Sequence, residues 1–380
     1  MKPSQPSKTA HARNRPIDQK RLAKRTMRYA VDYMDHAPVW QAPIFARGLF
    51  RPTQNGAPAQ PLEVHFTSKI QGSQMHYVAR SPQALNVPDQ AVYFHLCQLM
   101  AQSKHLLVPA HENYAAFKKA LGLSGMWANS PLPVVRVQPA DLAAGIGLTR
   151  TGTNAKAMLA SLARLSCTTL QRRKFGAGSV AEEGHSRFLG LLNFDTEVWV
   201  VLNLESGLHA HQHKGVAWVN MREHRSLASK PAKRLHAWMT AWASPWERKL
   251  VALDKLLVSV WGEPPATPAI RKDRMRTLRK AIQEVGQLAG WSCALSEDGR
   301  HLLVRKPLFA GTAAQAEHST PSPAAKEDLT AAVPAAATPT KAAATPTETA
   351  ATATPVAATP TADTLEAAPS LDSDELVFSL

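Results

Sequence analysis

The sequence predicts an α+β chain of two tandem winged-helix domains, helix-turn-helix plus β-hairpin, between disordered N- and C-terminal tails. Three observations predict it. The order helix, turn, helix, hairpin occurs twice between residues 38 and 308. The formal net charge is +15, and the sequence pI is about 9.9. The last seventy or so residues lose all hydrophobic periodicity. A chain of 380 residues has room for two domains of ordinary size. The boundaries read as a basic arm 1–37, domains 38–205 and 206–308, and an acidic tail 309–380.

The arm carries nine basic and three acidic residues within the first 38, and it fits loose contact with phosphates. In the first half, "DQAVYFHLCQLMAQS" reads as a helix. "QPADLAAGIGL" follows, with Pro139 at a first helical position and Asp141 beside it. After the turn "GLTRTGT", the stretch "NAKAMLASLARLSCTTL" places Ala155, Met158, Leu159, Leu162, Ser166 and Thr169 on one helical face. "LQRRKFGAG", "RFLGLLNF" and "EVWVVLN" read as strands with a basic turn.

The second half repeats the order. "SKPAKRLHAWMTAW" sets Leu235, Trp238, Met239 and Trp242 on one face. "ERKLVALDKLLVSVW", read as one helix, does the same with Leu250, Leu253, Leu257 and Val260. "GEPPATP" breaks the chain before a third helix. "GWSCALSEDGRHLLVRK" then closes as a hairpin. Asp298-Gly299 suits a type I′ turn, Trp291, Cys293 and Leu295 share one strand face, and Leu302 and Val304 share another.

The third helix, "AIRKDRMRTLRKAIQEVGQLAGWSC", is unusually basic: six of its first twelve residues are Arg or Lys. At 100° per residue, Met275, Leu278, Ile282 and Val285 fall in a stripe about 80° wide that buries. Lys272, Arg276 and Arg279 lie to one side of it with Lys280 nearly opposite, and Gln283 continues their row. Asp273 and Glu284 fall on another flank. Segregated positive charge costs repulsion unless a polyanion offsets it. The major groove of duplex DNA admits such a helix, where Arg and Lys donate to guanine. Lys272, Arg276 and Arg279 are therefore expected at base edges or phosphates, Arg271 and Arg274 at phosphates, and Lys280 as a further DNA contact. On the first-half helix Thr153, Lys156 and Arg164 are the counterparts. Arg172, Arg173 and Lys174 on one hairpin, and Arg300 and Arg305 on the other, are candidate wing contacts.

Other classes find less support. No run of about 20 apolar residues exists, so no membrane span or membrane partner is expected. The N-terminus has no apolar segment, and Cys97, Cys167 and Cys293 lie far apart, which suits a reducing cytoplasm and neither a disulfide framework nor a thiolate zinc site. No P-loop occurs. "GLHAHQHKG" spaces His209, His211 and His213 as strand residues sharing a face would be spaced, and His-Ala-His is similar to the signature of metal-dependent origin-nicking enzymes. The tyrosines all lie upstream of residue 115, so a histidine-rich loop between domains is the simpler reading. No metal, cofactor or catalytic residue is expected. A transcriptional repressor would use the same fold.

"PIFARGLFRP", "SLARLSCTTL", "WVVLNLESGL", "LASKPAKRLHAWMTAWASPW" and "IRKDRMRTLRKAIQEVGQLAGW" resemble plasmid replication initiators. The similarity is to the TrfA proteins first and more weakly to the IncQ RepC initiators, and it runs over roughly residues 38–306. It implies winged helices that bind origin repeats (iterons), assist origin opening and recruit the host initiator and replicative helicase in a bacterial cytoplasm. It also implies dimerisation through the first domain. By the same resemblance the helix bearing Arg271 to Lys280 is the second-domain recognition helix, and Thr153 to Arg164 lie on the first-domain one. The tail lies outside this pattern. It holds two Lys and nine Asp or Glu, which leaves 42 basic and 20 acidic residues before it, net +22. Its terminal "DELVF" resembles a sliding-clamp-binding peptide lacking the usual Gln, so a clamp is a candidate partner.

Overall fold

The computed structural model describes residues 35–307, apart from 54–59, 71–72, 104, 177–178, 195–196, 213–214 and 246. The basic arm up to residue 34, the acidic tail from 309 and its terminal peptide lie outside the described residues. The chain begins with β1 (His36–Trp40), α1 (Gln41–Phe45) and β2 (Phe50–Arg51), then the hairpin β3 (Leu62–Ile70) and β4 (Ser73–Ser81). β5 (Leu85–Asn86), α2 (Val87–Ser103), β6 (Leu106–Leu107), α3 (Tyr114–Leu121), β7 (Ser124–Gly125) and β8 (Leu132–Val137) follow. Then come α4 (Pro139–Gly145), α5 (Gly152–Cys167), β9 (Thr169–Gly176), β10 (Ser179–Arg187), β11 (Leu189–Phe194) and β12 (Glu197–Leu202). α6 (Leu204–Gln212), β13 (Val216–Asn220) and α7 (Met221–Ser226) lead to α8 (Lys230–Trp242), β14 (Arg248–Ala252), α9 (Leu253–Trp261), α10 (Pro268–Gly286), β15 (Ser292–Leu295) and β16 (His301–Arg305).

The first core is larger than a helix-turn-helix with a hairpin. β9 and β10 do pair antiparallel, but β4 pairs with β9 on the other side, giving a five-stranded sheet in the order β3-β4-β9-β10-β7. A second sheet, β11-β12-β8-β6, covers a satellite cluster with Tyr114, Phe117 and Leu121 of α3. α2 runs through the centre and buries Val92, Tyr93, Phe94, Leu96, Cys97 and Met100. Its periodicity is weak because it is wrapped on nearly every side. α5 buries Met158, Ser161, Leu162 and Leu165, so the expected stripe is displaced around the helix and Leu159 is 44% exposed.

β1 begins at His36, inside the last two residues of the expected arm, and pairs with β13, with Ala37 and Val39 buried in the first core. Residues 206–226, placed by sequence in the second half, also pack there through Ala210, Ala217, Val219 and Met221. Membership changes at Leu227. "GLHAHQH" forms α6 rather than a strand or loop. Helical residues two apart point about 200° away from each other, so alternate histidines share no face. His209 stacks on Trp40 with ring centroids 5.7 Å apart. His211's side chain and His213 lie outside the described set.

The second core is α8, α9 and α10 against the antiparallel sheet β14-β16-β15. "ERKLVALDKLLVSVW" divides into β14 and α9 because Ala252 is extended (φ −67°, ψ 137°). β14 pairs with β16 in the register Leu250↔Leu303, which turns Leu250 outward at 60% exposure. The hairpin loop spans residues 297–300. The Gly299 amide donates to the Ser296 carbonyl at 2.8 Å, and Ser296 and His301 close the ladder. Gly299 is left-handed (φ +64°). The two-residue type I′ turn expected at Asp298-Gly299 is replaced by this four-residue loop.

α8 joins the cores: Ala237 faces the first, and Leu235, Trp238 and Met239 face the second. Buried Arg234 donates to the Ile44 carbonyl at 2.8 Å, and burial pushes its guanidinium down to about 10. Nearby, Glu223 accepts from His236 Nε2 at 2.8 Å and Trp291 Nε1 at 3.1 Å. His224 is buried with neither ring nitrogen hydrogen-bonded among the described residues. Burial, then the neighbouring charges of His236, Lys233 and Arg225, hold its pKa well below the ordinary value. Burial depresses His95 too, although a bond with Gln98 opposes it. Both folded-state values are lowered, so below about pH 6.5 the unfolded chain takes up protons that the folded chain refuses. Stability is thus complete above that pH and falls on acidification, by up to about 1.4 kcal/mol per pH unit per histidine. Urea titrations between pH 5 and 8 should show this slope and show it reduced in His224→Leu. An unchanged slope would remove His224 from the account.

Candidate nucleic-acid interface

α10 is built to hold its cations outward. Thr267 caps it by accepting from the Ile270 amide at 3.2 Å, and Pro268 occupies the first turn. Leu278, Ala281, Ile282 and Val285 are buried, and half-buried Met275 packs on the same core. Glu284 reaches to the start of α8. There it accepts from the Ser229 amide at 3.0 Å, from Ser229 Oγ at 2.7 Å and from the Ala228 amide, which fixes α10 against its neighbour.

The first turn of α10 has no acidic residue and the last turn no basic one. Arg271 and Lys272 instead stand at the positive end of the helix dipole, where cations are disfavoured by a few tenths of a kcal/mol each. The arrangement does not serve helix stability. It does suit an external anion.

The basic residues of this helix divide into two sets. Arg271 donates to Asp254 at 2.8 Å. Arg274 bonds Glu263 at 3.2 Å and lies 5.9 Å over the Trp261 ring. Arg276 pairs with Asp273 at 3.0 Å, so an acidic residue does reach the expected row. Both partners of that pair are about 70% exposed (71% and 69%), and such a pair contributes at most about 1 kcal/mol. Lys272, Arg279 and Lys280 are exposed and make no ion pair among the described residues. Arg279 Nη2 lies 3.8 Å from where a Cβ on Gly299 would stand, so the helix and the hairpin loop present one surface. Arg300 is exposed on that loop, with its amide bonded to Asp298. Arg305 sits at the far end of β16 opposite Arg248, away from the loop.

The first-half residues do not assemble into a matching surface. Thr153 and Lys156 are exposed on α5. Arg164 is turned inward: Nη2 lies 2.7 Å and Nε 3.1 Å from the carboxylate of wholly buried Asp89, which also accepts from Ser161 Oγ at 2.5 Å. Arg172 pairs at 2.5 Å with buried Glu205 and lies over Trp127. For these two arginines the wing and phosphate roles give way to internal ion pairs, because each faces a carboxylate that burial would otherwise leave uncompensated. Arg173 bonds Glu183 at 3.1 Å. Lys174, on the same strand, is half-buried and has a partner of its own.

The acidic partners Asp254 and Glu263 carry no signal in the spacing of the sequence. Glu263 also takes Arg51 at 3.4 Å, which ties the α9–α10 turn to the first core. "PIFARGLFRP" carried the signal for that tie: Ile44 and Phe50 are buried in the first core, while Phe45 packs on Trp238 of the second.

No helix among the described residues is long and apolar enough to cross a membrane. No group of three or more His, Cys, Asp or Glu among them is placed to hold a metal ion.

Comparison with solved structures finds low-identity likenesses to domains 2 and 3 of RctB. One has a TM-score of 0.40 at 12% identity over 70% of this chain and 96% of that one. Another has a TM-score of 0.42 at 12% identity over 68% and 95%. No curated protein matches the sequence significantly. The family model described as Replication protein C (RepC) matches residues 28–306, and so corrects the order of resemblance, in which TrfA proteins come first. A match over most of the chain makes it a member of the Replication protein C (RepC) family.

Proposed function

We propose that the chain is a non-enzymatic, sequence-specific double-stranded-DNA-binding initiator of plasmid replication, and that its two cores act as tandem winged helices on origin repeats. The observation that carries this reading is the set Lys272, Arg279 and Lys280, exposed and without an ion-pair partner among the described residues, on a helix whose own stability those charges do not serve. The major groove, about 12 Å wide, accepts such a helix, and in helix-turn-helix docking its N-terminal residues meet base edges. Lys272 and Arg276 are then placed for bases or phosphates, Arg279 and Arg300 for the backbone beside the hairpin, and Gln283 for an adenine farther along. Family membership supports replication as the purpose. Recruitment of a host initiator and replicative helicase is inferred from the family resemblance alone.

A shift assay with duplexes carrying the plasmid's own origin repeats tests the reading, and equal affinity for random duplex at about 0.15 M salt would sink it. Arg276→Ala should cost about 1–3 kcal/mol on the origin duplex and relax preference at one base pair. The exposed Asp273 pair is no obstacle, since exchanging it for a base loses little. A loss uniform across sequences would assign Arg276 to a phosphate instead.

A further inference from the structure

The two cores meet where the turn of residues 46–49 abuts the end of α9. Gly48 (φ +82°) and Gly262 (φ +86°) are both left-handed, and a Cβ on Gly262 would overlap the Gly48 backbone. The main chains therefore touch there. Seven residues are nearly two helical turns, so Lys255 shares the α9 face of Gly262 and stands about 10 Å nearer its start. Arg47 is exposed beside Gly48 and has the length to lie along that face. Partial burial and the neighbouring Arg47 charge together push the Lys255 ammonium below its ordinary range.

The acids nearby are committed. Asp254 holds Arg271, and Glu263 holds both Arg51 and Arg274. Neither Arg47 nor Lys255 has an ion-pair partner among the described residues. Two like charges fixed beside a close-packed joint repel unless an anion lies against both. α9 precedes α10, and the first helix of such a pair crosses the DNA backbone.

We propose that Arg47 and Lys255 form a phosphate clamp for the DNA backbone, built by both cores and placed beside the groove that α10 enters. The proposal rests on the DNA-binding reading above. It gives the segment 46–51 a part in binding by the second core, and it makes the joint between the cores an element of the DNA footprint.

The test uses the full chain with Arg47→Ala, Lys255→Ala and both together. Binding to an origin duplex and a random duplex is measured over a range of salt. Each substitution should flatten the plot of log K against log salt by about 0.9, and weaken both duplexes equally, about fivefold at 0.15 M salt. Thermal stability of Arg47→Ala should be unchanged or raised, because repulsion is relieved. An unchanged slope in the double variant, or a loss confined to the origin duplex, overturns the clamp while native binding stands. Failure of the native chain on both duplexes overturns the DNA reading, and the clamp with it.

Discussion

Replacing Lys272, Arg279 and Lys280 together by Ala should weaken binding to origin duplex by about 100-fold at 0.15 M salt, and reduce the salt slope by about 2 to 3. Among the described residues the three are the cations of α10 without an ion-pair partner, so removing them breaks no ion pair seen there. The apolar stripe of Leu278, Ile282 and Val285 is untouched. Alanine also raises helix propensity slightly at exposed positions and removes like-charge crowding near the helix start. Stability should therefore hold or rise while affinity collapses, a combination that misfolding cannot produce. The same substitution at Arg271 and Arg274 would confuse the two effects, because Asp254 and Glu263 would lose their partners. An undiminished salt slope in the triple variant would move the interface off α10.

The burying face of α10 was legible because Leu278, Ile282 and Val285 recur at helical spacing and nothing competes for them. The partnering of its charges was not. Asp254, Glu263 and Asp273 reach Arg271, Arg274 and Arg276 through side-chain lengths and a turn that periodicity does not encode. α9 misled for a related reason. Leu250 has both the helical spacing to Leu253 and Leu257 and the alternation of a strand, and the pairing of β14 with β16 decides between them. Pairing of β4 with β9 is likewise a contact across some ninety residues, which local pattern cannot announce. In the first half, Arg164 lies on the outward arc of α5 by angle. Only the position of Asp89 on α2, 75 residues earlier in the chain, draws it in. The histidine triplet of α6 shows the limit most simply, since alternate spacing fits a strand motif but a helix disperses it.

Asp89→Ala should lower the stability of the first core by about 3 kcal/mol, and its thermal midpoint by roughly 6–12 °C. Asp89 is fully buried near the start of α2. Its carboxylate accepts from the Asn86 amide at 2.9 Å, and the Asn86 side chain accepts from the Asp89 amide at 3.0 Å, a reciprocal cap on the helix. Ser161 and Arg164 of α5 complete its shell. The alanine removes the cap and leaves Arg164, only 26% exposed, without its counter-charge. The estimate stays at the lower end for a broken buried pair because water still reaches that guanidinium. Arg164→Ala makes the complementary measurement, since it leaves the buried carboxylate with Ser161 and Asn86 alone. In a double-mutant cycle the two should couple by more than 1 kcal/mol. DNA binding then separates the roles that sequence and structure assign to Arg164. Stability lost with the salt slope intact places it in the core. A slope reduced by about one with stability intact would return it to a phosphate.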